Sequence, residues 1–476
     1  MNNLKNLTTG STTRQLFRLA LPIMGTSFIQ MAYSITDMAW VGRLGSEAVA
    51  AVGAVGILTW LSSSVALLNK VGAEVSVAQK IGANEVEKAR LFAGQNITMA
   101  LLLSLIWGCL LFLLAKHIIT LFELKAEIAE MAINYLRIVV TAFPLLFMSY
   151  AITGSYNAAG ISRVPFLVNG FGLIINMVLD PLFIHVFAWG TNGAAIATWL
   201  AQGFVFMLFL WKTKRQKQLL GSFPLLVKPR KKYAFHILKI GLPVVAFNSL
   251  FSIISLFITR IASIHGGHIG VTAITVGGQI EAVLWNTSQG LSTALSAFVG
   301  QNYAAKQIER VKQAYRVSIR MTLIFGSLCT ALFLFFGTPL FSLVVPEREA
   351  YLVGGVYLMI NGYSMIFMMC EITTQGIFYG LGKTIPPAII SISLNVIRIP
   401  LAILLASIGL SLNGVWWAIS ISSILKGCVS FAWLRTYLVK KAEFNLQTQL
   451  NSGGGSIGKK KAKERERSPD SFRQAD

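Results

Sequence analysis

Two aspartates lie inside long apolar segments of this 476-residue chain. Asp37 lies in the stretch YSITDMAWVGRLG (33–45), and Asp180 lies in NMVLDP (176–181). A carboxylate at membrane depth is costly, and it usually faces a partner or a water-filled cavity. Such a pair predicts proton binding, because burial and mutual repulsion favour the neutral form of one acid. It also suits a small cation such as Na⁺, because hard cations prefer oxygen ligands.

Three further polar side chains are placed to join the two aspartates. Tyr33 lies one helical turn before Asp37, and Asn176 lies one turn before Asp180, each on the same face. Counted from the predicted outer loops at 1.5 Å per residue, Asp37, Asp180 and Thr198 share a depth of roughly 10–15 Å. The sequence therefore predicts one cation-coupling site from these five residues, with Asp37, Asn176, Asp180 and Thr198 as possible Na⁺ ligands. The alternative is that the aspartates only hold neighbouring helices together.

The apolar segments that carry these residues predict an all-α polytopic membrane protein. The chain is 54% hydrophobic and 13% charged, with a mean hydropathy of +0.64, whereas soluble proteins carry about 25% charged residues. Long apolar runs recur at the length of about 20 residues that a spanning helix needs. The twelve predicted spans are 15–40, 48–78, 92–115, 130–152, 164–187, 191–211, 236–263, 271–300, 317–345, 351–379, 386–409 and 413–438.

The two halves of the chain resemble each other at an offset of about 221 residues. LALPIMG (19–25) matches IGLPVVA (240–246), and TNGAA (191–195) matches LNGVW (412–416). Each half has six predicted spans, so the repeats are parallel and form two six-helix lobes around a central cleft. The predicted domains are an N-terminal lobe (1–211), a basic cytoplasmic linker (212–235), a C-terminal lobe (236–440) and a disordered cytoplasmic tail (441–476).

The repeat also assigns the candidate site to one lobe. At the common offset Asp37 falls on Ile258, and the match of NMVLDP with NVIRIP (395–400) puts Ile399 at the place of Asp180. We therefore expect cation coupling in the first lobe only. Of the other charges at membrane depth, we expect Lys70 and Glu74 to neutralise each other at i,i+4 spacing.

Two acids in the second lobe, Glu281 and Glu371, lie at membrane depth with Arg398. Glu371 and Arg398 lie on adjacent predicted spans, so we expect them to form a structural ion pair. Pro22 lies inside the first span, where it removes a backbone hydrogen bond and weakens the helix. It predicts either a switchable bend or a static kink.

The net charge of +22 at pH 7 is explained by basic residues in the loops on one side of the membrane. Lys and Arg concentrate in the loops after the even-numbered spans, which places those loops and both termini in the cytoplasm. We therefore expect no nucleic-acid partner. The expected partners are the lipid bilayer and small amphipathic or cationic substrates, and we expect a monomer.

The chain resembles the multidrug and toxic compound extrusion (MATE) family over about residues 10–440. The resemblance is carried by LALPIMG, TDMAWVGRLGSEAVAAVG, VAQKIGA, YNAAG, NMVLDPLFI and TNGAAIATW. It implies twelve helices in two lobes, and export of organic cations or other amphipathic compounds against H⁺ or Na⁺ across the prokaryotic cytoplasmic membrane.

The predicted site fits this resemblance residue by residue. Tyr33, Asp37, Asn176, Asp180 and Thr198 match, in type and spacing, the first-lobe cation site of the DNA-damage-inducible type of prokaryotic MATE transporter. Two further positions match the same branch: Pro22 resembles its bending proline, and Gln30 falls where it has a polar residue near the substrate. Lys70 departs from the family pattern.

Two other functions were weighed against export. A lipid or lipid-linked oligosaccharide flippase of the same superfamily would need several cations in its cleft to meet pyrophosphate, and Lys70 and Arg398 are the only deep candidates. An intramembrane enzyme is not expected, since the chain carries no HExxH and no DDxxD-type acid cluster. No cofactor beyond the coupling H⁺ or Na⁺ is expected.

Overall fold

A computed structural model of the protein describes residues 7–122, 124–215 and 225–437. The predicted tail (441–476) and the middle of the predicted linker (216–224) lie outside these residues. Contacts divide the chain into one unit over Met1–Ser430 and a second over Phe431–Asp476. The second unit is described only over 431–437, which are helical. The predicted boundaries between lobes and linker remain predictions.

The described residues form helices joined by short connections. The helices are α1 (Thr12–Gly42), α2 (Ser46–Gly82), α3 (Val86–Thr120), α4 (Ala126–Thr141), α5 (Phe143–Ala158), α6 (Arg163–Pro181), α7 (Gly190–Arg215), α8 (Lys231–Ala304), α9 (Ile308–Ser342), α10 (Arg348–Gly380), α11 (Ile385–Leu405) and α12 (411–430). Two π-helical turns follow α6 and α11, at Leu182–Val186 and Ala406–Leu410.

Helix α8 is a hairpin of two membrane spans. Its 74 residues would extend about 111 Å as a straight helix, far beyond the roughly 30 Å of a bilayer core. Gly267 breaks the helix with φ 54° and ψ −144°. A Cβ added at Gly270 would lie 2.5 Å from the Ala262 carbonyl oxygen, although residues eight apart in a straight helix are about 12 Å apart. The chain therefore reverses at Gly267.

The helices together account for the twelve predicted membrane spans. Eight helices are long and apolar enough to cross a membrane, and α4 with α5, bent by 47° between them, makes a ninth. The hairpin in α8 and the break between α11 and α12, where Gly409 has φ 103°, each add one. The more polar α1 completes twelve spans within the described residues. The predicted all-α fold of twelve spans is confirmed.

Each half of the chain has its own apolar core. The first core contains Phe143, Phe147 and Phe209 among many buried side chains between Val41 and Ile237. The second lies between Ile254 and Ala418. A small third cluster of Val71, Val75, Ile240 and Val244 brings residues of α2 and α8 together. The two predicted lobes therefore pack separately and meet along α2 and α8.

The contact between the lobes, which we call the seam, uses small residues so that the helix backbones approach closely. A Cβ added at Gly300 of α8 would lie 2.9 Å from the Ala78 Cβ of α2. Ala78 and Gly300 are counterparts in the repeat, so the local two-fold relationship of the lobes passes through this contact. The seam lies at the end of the bundle that carries the α2–α3 and α8–α9 connections.

Candidate functional site

Helices α1 and α6 position four of the five predicted site residues. Tyr33 and Asp37 lie on α1, and Asn176 and Asp180 lie at the end of α6. The two helices pack closely, since a Cβ added at Gly25 of α1 would lie 2.5 Å from the ring of Phe166 on α6. Beyond Asp180 the chain enters the π-helical turn, and α7 then returns with Thr198.

One of the two oxygens of the Asp180 carboxylate has a hydrogen-bond partner. The Asn176 side-chain amide donates a hydrogen bond of 2.9 Å to Asp180 Oδ1, and both residues are fully buried. Asp180 Oδ2 and Asn176 Oδ1 are buried without a hydrogen-bond partner. The pair therefore offers two free oxygen acceptors inside the first lobe.

The other three residues bring further unsatisfied oxygens. Asp37 Oδ1, the Tyr33 hydroxyl and Thr198 Oγ1 are also buried without a partner. The Tyr33 hydroxyl lies near Thr198 and interacts electrostatically with both Asp37 and Asp180. The carboxylates of Asp37 and Asp180 also interact electrostatically with each other. The structure thus brings together all five residues of the predicted set.

This arrangement is chemically unusual. Buried polar groups in proteins nearly always have a hydrogen-bond partner, yet each of these five side chains holds one buried oxygen that lacks one. Two carboxylates, one amide oxygen and two hydroxyls form the donor set that a hard cation binds, and the carboxylates also accept protons. The described residues contain no group of three His, Cys, Asp or Glu side chains that would hold a metal ion.

Two site residues were missed by reasoning from the sequence. Tyr135 of α4 lies beside Asp37, and Gln202 of α7 lies near the Tyr33 hydroxyl. Both left a signal. Gln202 lies one turn after Thr198 on the same face of α7, and Tyr135 has a tyrosine counterpart in the second half, Tyr357.

Gln30 and Pro22 lie outside the oxygen cluster. Gln30 is exposed on α1 and lies near the hydroxyl of Tyr150 on α5. Pro22 lies inside α1, which is helical from Thr12 to Gly42. The residues next to Pro22 contact the second lobe, because a Cβ added at Gly290 of α8 would meet Met24. The bending role of Pro22 remains a prediction.

The ion pair predicted between Glu371 and Arg398 is wrong. Glu371 pairs with Lys426 of α12 at 3.2 Å, and its other oxygen accepts hydrogen bonds from Ser391 at 2.5 Å and Gln375 at 3.1 Å. Arg398 instead donates hydrogen bonds to two serines of α12, Ser422 at 2.9 Å and Ser423 at 3.3 Å.

In the first lobe, Lys70 makes no ion pair within 4 Å among the described residues. Its predicted partner, Glu74, interacts with Lys70 electrostatically without direct contact, and it also lies near Ser296 and Tyr379 in the seam. In the second lobe, Glu281 lies near Tyr357 and Arg398, and its Oε1 has no partner.

Comparison with known proteins decides the family. The MatE family model matches residues 22–182 and 243–404, which is well over half of the chain. The chain belongs to the MATE family. The two matched segments begin at Pro22 and Pro243, which confirms the predicted duplication. MATE proteins are transporters, so this MATE protein is a multi-pass membrane transporter and not an enzyme.

Its relatives are prokaryotic. This MATE protein is 26% identical over 412 residues to the probable multidrug resistance protein NorM of Thermotoga maritima, covering 85% of this chain and 88% of the relative. It is 25% identical over 446 residues to the probable multidrug resistance protein YoeA of Bacillus subtilis, covering 90% and 96%. A crystal structure of a MATE in complex with MaL6 has a TM-score of 0.87 at 24% identity, covering 93% of this chain and 100% of that one.

Proposed function

We propose that this MATE protein is a cation-coupled antiporter that exports amphipathic, drug-like organic compounds across the prokaryotic cytoplasmic membrane by alternating access. One observation supports this most: five buried oxygens without hydrogen-bond partners converge in the first lobe from α1, α6 and α7. A site of this kind is incomplete until it holds a proton or a cation. The names of the relatives, which are multidrug resistance proteins, support drug export.

Helix α1 connects the cation site to the seam. Tyr33 and Asp37 lie in its second half, and Met24 in its first half packs against Gly290 of α8. A cation held between α1 and α6 changes which position of α1 is favoured. Because α1 also contacts the second lobe, occupancy of the site biases the equilibrium between the two shapes of the transporter.

Either H⁺ or Na⁺ fits the proposal. Two carboxylates without a compensating cation favour protonation of one of them. The same carboxylates with the Asn176 amide oxygen and the two hydroxyls form an all-oxygen set for Na⁺. The second lobe holds isoleucines at the counterpart positions, and Ile258 is buried in the second core. This supports coupling through the first lobe.

The orientation follows from charge. Basic residues cluster at the seam end of the bundle, including Lys80 and Lys88 beside α2 and α3, and Lys306 and Lys312 beside α8 and α9. By the positive-inside rule this end faces the cytoplasm, with both termini. The described shape is therefore closed to the cytoplasm. We propose that the protein acts as a monomer.

A lipid-linked oligosaccharide flippase fits less well. Recognition of pyrophosphate needs several cations facing the cleft. Arg398 is buried and held by two serines, and Lys426 is paired with Glu371. Of these three deep cations, all in the described part of the chain, Lys70 is the one that is partly exposed.

The proposal is tested by Asp37→Asn in an efflux-deficient host and in proteoliposomes loaded with a fluorescent dye. We expect loss of drug resistance and of gradient-driven dye export, with normal membrane expression, because the amide cannot exchange a proton or neutralise a cation. The control is Glu87→Gln, which removes an exposed acid at the start of α3. Normal export by Asp37→Asn would overturn the coupling role.

A further inference from the structure

We propose that Lys70 is the residue that recognises the acidic group of the exported compound, so that the cleft takes amphipathic organic anions or zwitterions. This inference rests on the proposed function and narrows its substrate class. It begins from Lys70, a cation at membrane depth in the first lobe that lies outside the cation site.

Lys70 lies where the buried seam segment of α2 begins. Residues 71–78, which follow it on α2, are all buried, and they include the seam residues Val71, Val75 and Ala78. Lys70 itself is partly exposed. In the cleft that the proposed function requires, Lys70 therefore stands at the floor, next to the closed seam.

The charge of Lys70 is not balanced by a direct ion pair. Among the described residues no carboxylate lies within 4 Å of its ammonium. Glu74, one turn further along α2, is buried and attracts Lys70 only at longer range, while it also lies near Ser296 and Tyr379 in the seam. Because the carboxylate of Glu74 does not contact the ammonium directly, a second anionic group can approach Lys70 and accept a charge-assisted hydrogen bond from it.

The surroundings of Lys70 suit an aromatic compound with an acidic end. Its ammonium lies 5.9 Å from the centre of the Tyr150 ring, and its backbone carbonyl packs against Gly154 on the same face of α5. The Tyr150 hydroxyl lies near Ser63 of α2 and Gln30 of α1. The floor thus combines one cation, an aromatic ring and neutral donors.

This floor is separate from the cation site. On α1 the carboxylate of Asp37 lies seven residues from Gln30, or roughly 10 Å along the helix, and Tyr33, three residues from Gln30, lies between the two sites. An acid bound at Lys70 therefore does not occupy the oxygens that hold the coupling ion. A cationic compound, in contrast, meets a like charge at the deepest point of the cleft, which weakens its binding.

The test compares two planar dyes of opposite charge, 5-carboxyfluorescein and ethidium, on the purified full-length protein in detergent. For Lys70→Met we expect the Kd of carboxyfluorescein, measured by fluorescence anisotropy, to rise about tenfold or more, as for loss of a hydrogen bond to a charged group. The Kd of ethidium should stay the same or fall. Lys70→Arg should retain carboxyfluorescein binding, and the exposed control Lys88→Met should change neither dye.

The proposal is overturned if carboxyfluorescein does not bind the wild-type protein, or if Lys70→Met leaves its Kd unchanged. The proposal is also overturned if Lys70→Met weakens the binding of both dyes equally and Lys70→Arg does the same, since this would indicate a structural role. Transport separates this inference from the proposed function. In proteoliposomes Asp37→Asn should stop export of carboxyfluorescein and yet leave its Kd in detergent unchanged.

Discussion

The side-chain amide of Gln79 on α2 donates a hydrogen bond of 3.0 Å to the backbone carbonyl of Gly380, the last residue of α10. The repeat makes the same contact in the opposite direction. Gln301 of α8 donates to the carbonyl of Ala158, the last residue of α5, at 2.6 Å. Each glutamine satisfies a carbonyl at the open C-terminal end of a helix in the other lobe. Each lobe thus donates one hydrogen bond to the other, and the two bonds hold the lobes in contact at the seam.

Gln79→Ala and Gln301→Ala should open the seam. Each variant removes one hydrogen bond worth about 1 kcal/mol, so each should increase the population of the seam-open shape about fivefold, and the double variant should increase it further. The measurement is the distance distribution between spin labels at Lys88, which is exposed, and Lys312, which is partly exposed; the two lie near the seam on opposite lobes.

The control for the seam is Gln307→Ala. This glutamine lies at the same end of the bundle, at the start of α9, and its side-chain oxygen has no hydrogen-bond partner. It should leave the distances unchanged. Unchanged distances in the double variant of Gln79 and Gln301 would show that the two bonds do not hold the seam closed.

Tyr135→Phe should weaken cation coupling. The Tyr135 hydroxyl lies beside Asp37, so its loss should raise the cation concentration for half-maximal transport about fivefold, the effect of about 1 kcal/mol. The matched control is Tyr357→Phe, the counterpart in the second lobe, which lies beside Glu281. It should leave the cation dependence unchanged, and an equal effect of both variants would count against coupling by the first lobe alone.

Export should depend on a cation gradient. In proteoliposomes we expect dye efflux to stop when the gradient of the coupling ion is collapsed, because the oxygen cluster must be loaded and unloaded in every cycle. Dissipating the proton gradient while a sodium gradient is kept, and then the reverse, identifies the ion. Efflux that continues after both gradients are collapsed would exclude antiport.

Glu371→Gln should reduce stability more than export. The variant leaves Lys426 as a buried, unpaired charge, which costs roughly 3–5 kcal/mol, so the thermal unfolding midpoint in detergent should fall clearly. The double variant Glu371→Gln with Lys426→Met should recover much of the loss, because no charge is then left unpaired. Transport per folded molecule should change little. Lost export at an unchanged midpoint would assign Glu371 to the transport cycle.

The sequence alone determined the twelve spans and the repeat, and it predicted the five residues of the candidate site. Apolar length is a local property, the repeat is visible in the letters, and i,i+4 spacing with depth counted from the loops aligns Tyr33, Asp37, Asn176, Asp180 and Thr198. The structure adds the position of the turn between two of those spans, at Gly267 inside the 74 residues of α8.

The tertiary structure decided which long side chains meet. Depth in the membrane restricts a residue to a level, but the rotation of each helix about its axis chooses the neighbours at that level. For this reason Glu371 binds Lys426 instead of Arg398, and Lys70 is left without a direct ion pair. The cross-lobe bonds of Gln79 and Gln301 needed the packing of the two lobes as well, since neither glutamine lies near its partner in the sequence.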